Sequence, residues 1–300
     1  MADGQHSYLT TREVADLLRL KERKIYDLVA EGDIPCVRAT GKLLFPRDLV
    51  EAWLARNLEY SGGKESLAER PPIVGGSHDP LLDWALREAE TGLAVAFGGS
   101  LDGLRRMGKS EAVLSGCHLA DEGADIGGSW NVGHVRRQLA GQPVVVIEWA
   151  KRQQGLIVPP DNPLQLVDVS SLKRRRVIGR QREAGAFVLL ERLMAAAGMK
   201  FADVSLIDTP ARTEGDVAAA VADGRADAGL AIEAVARHYR LGFVPLVTER
   251  YDLVIWRRSA FEPAIQNLLA FGRSEAFAER AAQFGGYDVS GFGTVHYNGP

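Results

Sequence analysis

The side chains in this sequence best placed to hold a small anion lie at the ends of glycine-rich segments. Ser77 follows the run IVGG and Ser100 follows AVAFGG, and each precedes an amphipathic run of helical period. A serine between a strand and a helix start sits beside unpaired backbone N–H groups and the positive end of the helix dipole. An oxyanion or carboxylate is favoured there. The alternative is that both hydroxyls merely cap their helices. A third strand end carries Cys117 and His118, and this histidine either faces a ligand or satisfies a backbone carbonyl. Ser77, His78 and Asp79 supply the three side-chain types of a hydrolase triad, but neighbours in sequence cannot converge as a triad requires. No acid, base or nucleophile set is legible elsewhere, so the chain is expected not to be an enzyme. Cys36, Cys117 and the six histidines lack metal-ligand spacing. Neither a metal site nor a cofactor is expected.

A second set of side chains is cationic. Lys21, Arg23 and Lys24 crowd the start of KERKIYDLVAEG, with Tyr26 on an outer face, and Arg38, Lys42 and Arg47 follow along two β-prone segments joined around Thr40 and Gly41. This is how a recognition helix and a wing meet phosphates and base edges. The candidate DNA contacts are Thr11, Lys21, Arg23, Lys24, Tyr26, Arg38, Lys42 and Arg47. For Tyr26 and Arg47 the competing reading is packing or intramolecular pairing. Total charge offers no support: residues 1–57 hold nine Lys/Arg against nine Asp/Glu, and the whole chain carries −3. The case for DNA rests on where the charges lie. The run Lys173-Arg174-Arg175-Arg176 reads as a solvated surface.

Periodicity gives the elements that must position these groups. Thr10 or Thr11 caps TREVADLLRL, whose Val14, Leu17 and Leu18 form one apolar stripe. After a tight turn around Leu20, a second helix turns Ile25, Leu28 and Val29 inward and stops at Gly32. The hairpin follows, then RDLVEAWLARN with Leu49, Val50, Trp53 and Leu54 inward. These residues, 1–57, read as a winged helix-turn-helix, and the Gly-, Ser- and charge-rich stretch 58–72 reads as a linker. From Ile73 onward short β-type runs alternate with amphipathic helices. VVVIEWAKRQQGLIVPPDNP reads as two buried strands and a Pro-rich crossing segment, and TERYDLVIWRRS brings the chain back. The fold class is α/β. Two crossings between two α/β lobes is the architecture of type II periplasmic binding proteins, so residues 73–300 are expected to form such a domain, with one lobe at about 73–157 and 250–300 and another at about 158–249. Ligands of such folds lie between the lobes at strand ends.

A hydrophobic content of 46% and a charged content of 25% are those of a soluble folded protein. Two cysteines, no signal-peptide pattern and no apolar stretch of ~20 residues lead to the expectation of a cytoplasmic protein without a membrane partner.

The pieces YLTTREVADLL, IYDLVAEGDIP, VRATGKLLF and PRDLVEAWL, in that order, resemble the excisionase-like, MerR-related winged helix family. The resemblance implies that the helix from Lys21 enters the major groove and that the wing around Gly41 and Lys42 touches the minor groove or backbone. The motifs GGSHDPLL, FGGSLDGL, SGCHLAD, WNVGHVRRQL, QGLIVPPDNP, IGRQREAG, DGRADAGLAIEAVAR and ERYDLVI resemble the molybdate-binding-protein-like sensor domains joined to helix-turn-helix modules. What this implies is a cleft in which Ser77, His78, Gly99, Ser100 and His118 face Arg180, Glu183, Ala184 and Gly185. The segment from Asp227 and a helix from Ala231, carrying Glu233, line the opposite wall. The implied effector is molybdate or tungstate. One segment departs from the family: the hydroxyl and final arginine expected after Gly185 are replaced by Ala186 and Phe187. Glu183 adds a carboxylate that repels a divalent oxyanion unless it points out or pairs with Arg180 or Arg182. A small organic acid is therefore the alternative ligand. Together these features describe a ligand-responsive transcription regulator acting as a homodimer on double-stranded operator DNA. The alternative from another class is an excisionase-like architectural or recombination accessory protein.

Overall fold

The computed structural model describes residues 7–39, 41–56, 69–121 and 128–299. The chain divides into two compact units, residues 1–67 and 68–300.

The small unit runs β1 (Tyr8–Thr10), α1 (Thr11–Leu18), α2 (Glu22–Glu31), β2 (Val37–Ala39), β3 (Lys42–Pro46) and α3 (Arg47–Arg56). Thr10 is the N-cap of α1, in a capping box with Glu13. Gly32 closes α2 at φ 76, a left-handed conformation that glycine adopts without steric cost. The three strands pair in the antiparallel order β1-β3-β2. Leu9, Val14, Ala15, Ile25, Ile34, Phe45 and Val50 form the core, with Leu18, Leu28, Val29 and Trp53 packed against it. Leu17, Leu49 and Leu54, expected inward, are exposed. So small a unit has too little interior to cover a broad apolar face on every helix. Thr40 of the expected turn and Asn57 at the expected helix end lie outside the described residues.

The large unit alternates strands and helices. Its first part holds β4 (Ile73–Gly76), α4 (Pro80–Glu88), β5 (Ala94–Phe97), α5 (Ser100–Gly108), β6 (Leu114–Cys117) and α6 (Val132–Gln138). The strand β7 (Val144–Val158) then leads to β8 (Arg176–Ile178), α7 (Gly185–Ala196), β9 (Ser205–Leu206), α8 (Glu214–Ala222), β10 (Ala228–Ile232) and α9 (Glu233–His238). The return strand is β11 (Gly242–Trp256), followed by α10 (Pro263–Phe271), α11 (Glu275–Phe284), β12 (Tyr287–Asp288) and β13 (Val295–Asn298). The strand order is β5-β4-β6-β11-β7-β10-β8-β9, with β12 and β13 added on β7. Parallel β5, β4 and β6 make the sheet of the first lobe, and parallel β10, β8 and β9 that of the second.

Two strands of fifteen residues join the lobes. β6 pairs with the end of β11, at Asp252 to Ile255, whereas β10 pairs with the end of β7, at Gln154 to Ile157. Each long strand therefore serves both lobes. The segment expected to hold two strands and a Pro-rich crossing is one unbroken strand that is itself the crossing. The polar run Lys151-Arg152-Gln153-Gln154 reads as a break in sequence, but Arg152 and Gln154 are buried and hydrogen-bonded in the fold. The helix expected from Ala231 begins at Glu233, because the fully buried run AGLAI completes β10 first.

Candidate ligand site and DNA-facing surface

Ser77 lies just beyond β4, Ser100 opens α5, His118 lies just beyond β6, and Gly185 opens α7. Three of these come from the first lobe and one from the second, and they meet at a single point. The Ser77 Oγ is 2.9 Å from His118 Nε2, and the His118 N–H donates to Ser100 Oγ at 3.2 Å. A Cβ on Gly185 would stand 2.7 Å from the His118 carbonyl oxygen and 2.8 Å from its ring. A Cβ on Gly99, at φ 107, would stand 2.7 Å from the Glu183 carbonyl oxygen. That oxygen accepts from the Leu101 N–H at 3.1 Å. The N-termini of α5 and α7 thus approach each other across the seam, and only residues without side chains allow it.

Beneath this point runs a buried polar network that sequence reasoning missed. Arg152 donates from Nη1 to Asp79 Oδ2 and from Nε to Glu249 Oε1, each at 2.9 Å. Tyr287 also donates to Asp79, at 2.6 Å. Gln154 donates to Glu249 at 3.1 Å and to Glu214 at 3.4 Å, and Glu214 accepts from the Ile232 N–H at 3.3 Å. The chain of bonds passes from the first lobe, through both crossing strands, into the second. Burial alone would raise the Glu249 pKa; the Arg152 charge and His118 hold it down at about 2. Burial pushes the Cys117 thiol far up, so it stays protonated and unreactive. The one local signal for this network is the polar run inside an otherwise apolar fifteen-residue strand.

Ser77, His118 and Glu249 stand in the hydrogen-bond order of a serine hydrolase triad, with His118 Nδ1 2.8 Å from Glu249 Oε2. They come from three separated segments, unlike the adjacent Ser77-His78-Asp79. Ser77 and His118 are only 2% and 1% exposed, and the backbone at Gly185 packs on the imidazole where an acyl group would need room. A ring that donates from Nδ1 to Glu249 can accept the Ser77 hydroxyl proton at Nε2 when that nitrogen is unprotonated. The arrangement orients Ser77 and leaves no path for attack on a substrate in this closed form.

The remaining candidates fall elsewhere. Arg180 is buried and donates to the Arg212 carbonyl oxygen at 2.9 Å and to Gln181 at 3.3 Å; burial lowers its pKa. The Glu183 side chain is exposed, and only its backbone takes part in the seam. Ala184 is the N-cap of α7. Phe187, the departure noted in sequence, stacks on Phe201 at 5.0 Å. Glu233 pairs with Arg237 at 2.7 Å. His78 packs edge-on against Phe97 at 5.3 Å and lines a separate cavity of about 330 Å³ between α4, α9 and α11.

On the small unit, Lys21, Arg23, Lys24, Tyr26, Arg38 and Lys42 are exposed. Tyr26, Arg38 and Lys42 line one groove of about 510 Å³ between α2 and the β2–β3 hairpin, with Glu22 also on its wall. Thr11 lines the same groove but is nearly buried. Arg47 is partly exposed and pairs with Glu51 at 3.7 Å. No helix among the described residues is long and apolar enough to cross a membrane.

Comparison with known proteins gives two family matches. Residues 8–58 match a helix-turn-helix domain and residues 84–273 match the PBP superfamily domain. The chain is 26% identical to the uncharacterized protein YvgK of Bacillus subtilis (strain 168), covering 97% of this chain and 98% of that one. Among solved structures it is similar to PhnD1 from Prochlorococcus marinus in complex with methylphosphonate, at 15% identity and TM-score 0.48, over 72% of this chain and 91% of that one. It is also similar to the amino acid transporter substrate-binding protein AbpA from Streptococcus pneumoniae bound to L-arginine, at 14% identity and TM-score 0.47, over 71% and 92%. With residues 84–273, more than half its length, matched to that family, the chain belongs to the PBP superfamily.

Proposed function

We propose that this chain is a ligand-responsive DNA-binding transcription regulator. Its helix-turn-helix unit reads a double-stranded operator, and its PBP-type unit binds a small anion between the lobes. The observation that carries the reading is the meeting of the α5 and α7 N-termini across Ser77, Ser100 and His118. Helix starts offer N–H groups and a positive dipole end, and two of them aimed at one point favour an anion. Binding parts the lobes enough to place the anion where the Glu183 carbonyl oxygen now takes the Leu101 N–H. Ser77, Gly99, Ser100, His118, Ala184 and Gly185 form this cradle.

Molybdate or tungstate is the effector of this reading. The exposed position of the Glu183 side chain supports it, because the carboxylate then lies outside the seam. Lys21, Arg23, Lys24 and Tyr26 contact the major groove, and Arg38 and Lys42 contact the flanking backbone. The protein works in the cytoplasm as a homodimer, since two half-sites raise both affinity and specificity.

Mobility shifts and footprints on the DNA upstream of its own gene, with and without sodium molybdate, test the regulator. Bound ligand is expected to change affinity or footprint; an unchanged pattern overturns the mechanism. A thermal-shift series tests the ligand. An oxyanion at 100 times its Kd stabilises by ~2.7 kcal/mol, and no stabilisation by either oxyanion overturns that assignment.

A further inference from the structure

The cavity of about 330 Å³ beside His78 holds none of the serine cluster, and its chemistry is different. The Arg280 guanidinium lies over the rings of Trp84, at 5.2 Å, and Phe284, at 4.9 Å. Its Nη1 donates to Gln283 at 3.3 Å, but its Nε is buried with no hydrogen-bond partner. Arg280 lines the cavity and Gln283 takes only its Nη1, so the guanidinium keeps donors for a ligand oxygen. Arg87, also on the wall, is already paired with Asp83. The facing wall, from the second lobe, presents Val235 and Tyr239 to a flat ring, with His238 edge-on to Tyr239 at 5.4 Å.

We propose that this cavity binds a small ring-bearing carboxylate, its carboxylate on Arg280 and its ring against Val235 and Tyr239. The volume stands at the lower end of the ~300–1,000 Å³ range of small-molecule sites, which fits a one- or two-ring acid. The walls come from α4 on one lobe and α9 on the other, so a bound acid bridges the lobes and favours their closed arrangement. The cavity shares no residue with the oxyanion cradle, but an acid that favours the closed lobes and an oxyanion that parts them oppose each other's binding.

Calorimetric titration of the full-length protein with benzoate and indole-3-carboxylate tests the assignment, with benzamide as the uncharged control. Both acids are expected to bind saturably and to alter tryptophan fluorescence through Trp84. Binding should be at least tenfold weaker for benzamide and for Arg280→Met, and Arg280→Lys should retain part of it. If Arg280→Met fails to fold, the acid–amide comparison and the lysine variant decide. Failure of both acids to bind, equal binding of benzamide, or unchanged binding to Arg280→Met overturns the proposal. Acid binding without any oxyanion stabilisation would sink the cradle's ligand and leave this site standing.

Discussion

Arg152 is the charge around which the large unit closes. It is fully buried between Asp79 and Glu249, and Glu249 in turn orients His118. Removing one member of such a group leaves a buried charge without its partner, at about 3–5 kcal/mol. Glu249 titrates at about 2 in the folded protein, against 4.5 for the free group. A depressed folded pKa means that this stabilisation is complete above about 4.5 and fades as pH falls toward about 2. Glu249→Gln is therefore expected to cost about 3–5 kcal/mol at neutral pH, with the gap from wild type narrowing through that acid window. Urea unfolding at a series of pH values measures it, and a gap independent of pH would place the stabilisation elsewhere. At this scale the sequence was half legible. Ser77, Ser100 and His118 stand out because strand, turn and helix start are local patterns. Glu249 does not, since it lies 131 residues from the histidine it holds, and no local pattern records that pairing.

The α7 N-terminus tests how tightly the lobes are fitted. A methyl group at position 185 would press on the backbone of His118 at 2.7 Å, and backbone cannot swing aside as a flexible side chain can. Gly185→Ala is expected to hold the lobes apart, raising the radius of gyration of the large unit in small-angle scattering and increasing amide exchange at Leu101. An unchanged radius and unchanged exchange would mean that the seam yields locally. Most elements were legible as elements, because the change of hydrophobic period from two to 3.6 is written in the chain. The departures share a cause in tertiary context. Polar side chains satisfied by distant partners disguised β7 as two strands, and a small core left Leu17, Leu49 and Leu54 outside.

For the whole molecule, the helix-turn-helix unit and the PBP-type unit rest on separate cores, so their functions should separate by mutation. Lys21→Ala with Arg23→Ala is expected to weaken operator binding and to reduce the slope of log K against log salt by about 1 for each phosphate no longer neutralised. Stabilisation by ligand should be unaffected. A variant defective in both would show coupling between the units or misfolding, and its melting curve tells these apart. The division between the units falls at residues 67/68, inside the stretch 58–72 read as a linker, and Arg70 of that stretch is buried in the large unit and bonded to the Met107 carbonyl oxygen. Net charge pointed away from DNA because the acidic residues of the small unit balance its basic ones.

The paired strands β7 and β11 carry a mechanical consequence. They are hydrogen-bonded to each other from Val158 and Gly242 at one end to Val144 and Trp256 at the other. The lobes are thus joined by a ribbon, and a ribbon flexes and twists but does not swivel freely. Its compliant points are the two register irregularities, at Pro245/Val247 and Tyr251/Asp252. Such a joint behaves as a leaf spring with a resting angle set by strand twist. Any parting of the lobes would then meet a restoring force that grows with angle, and in the proposed function an effector acts by loading or stiffening the spring.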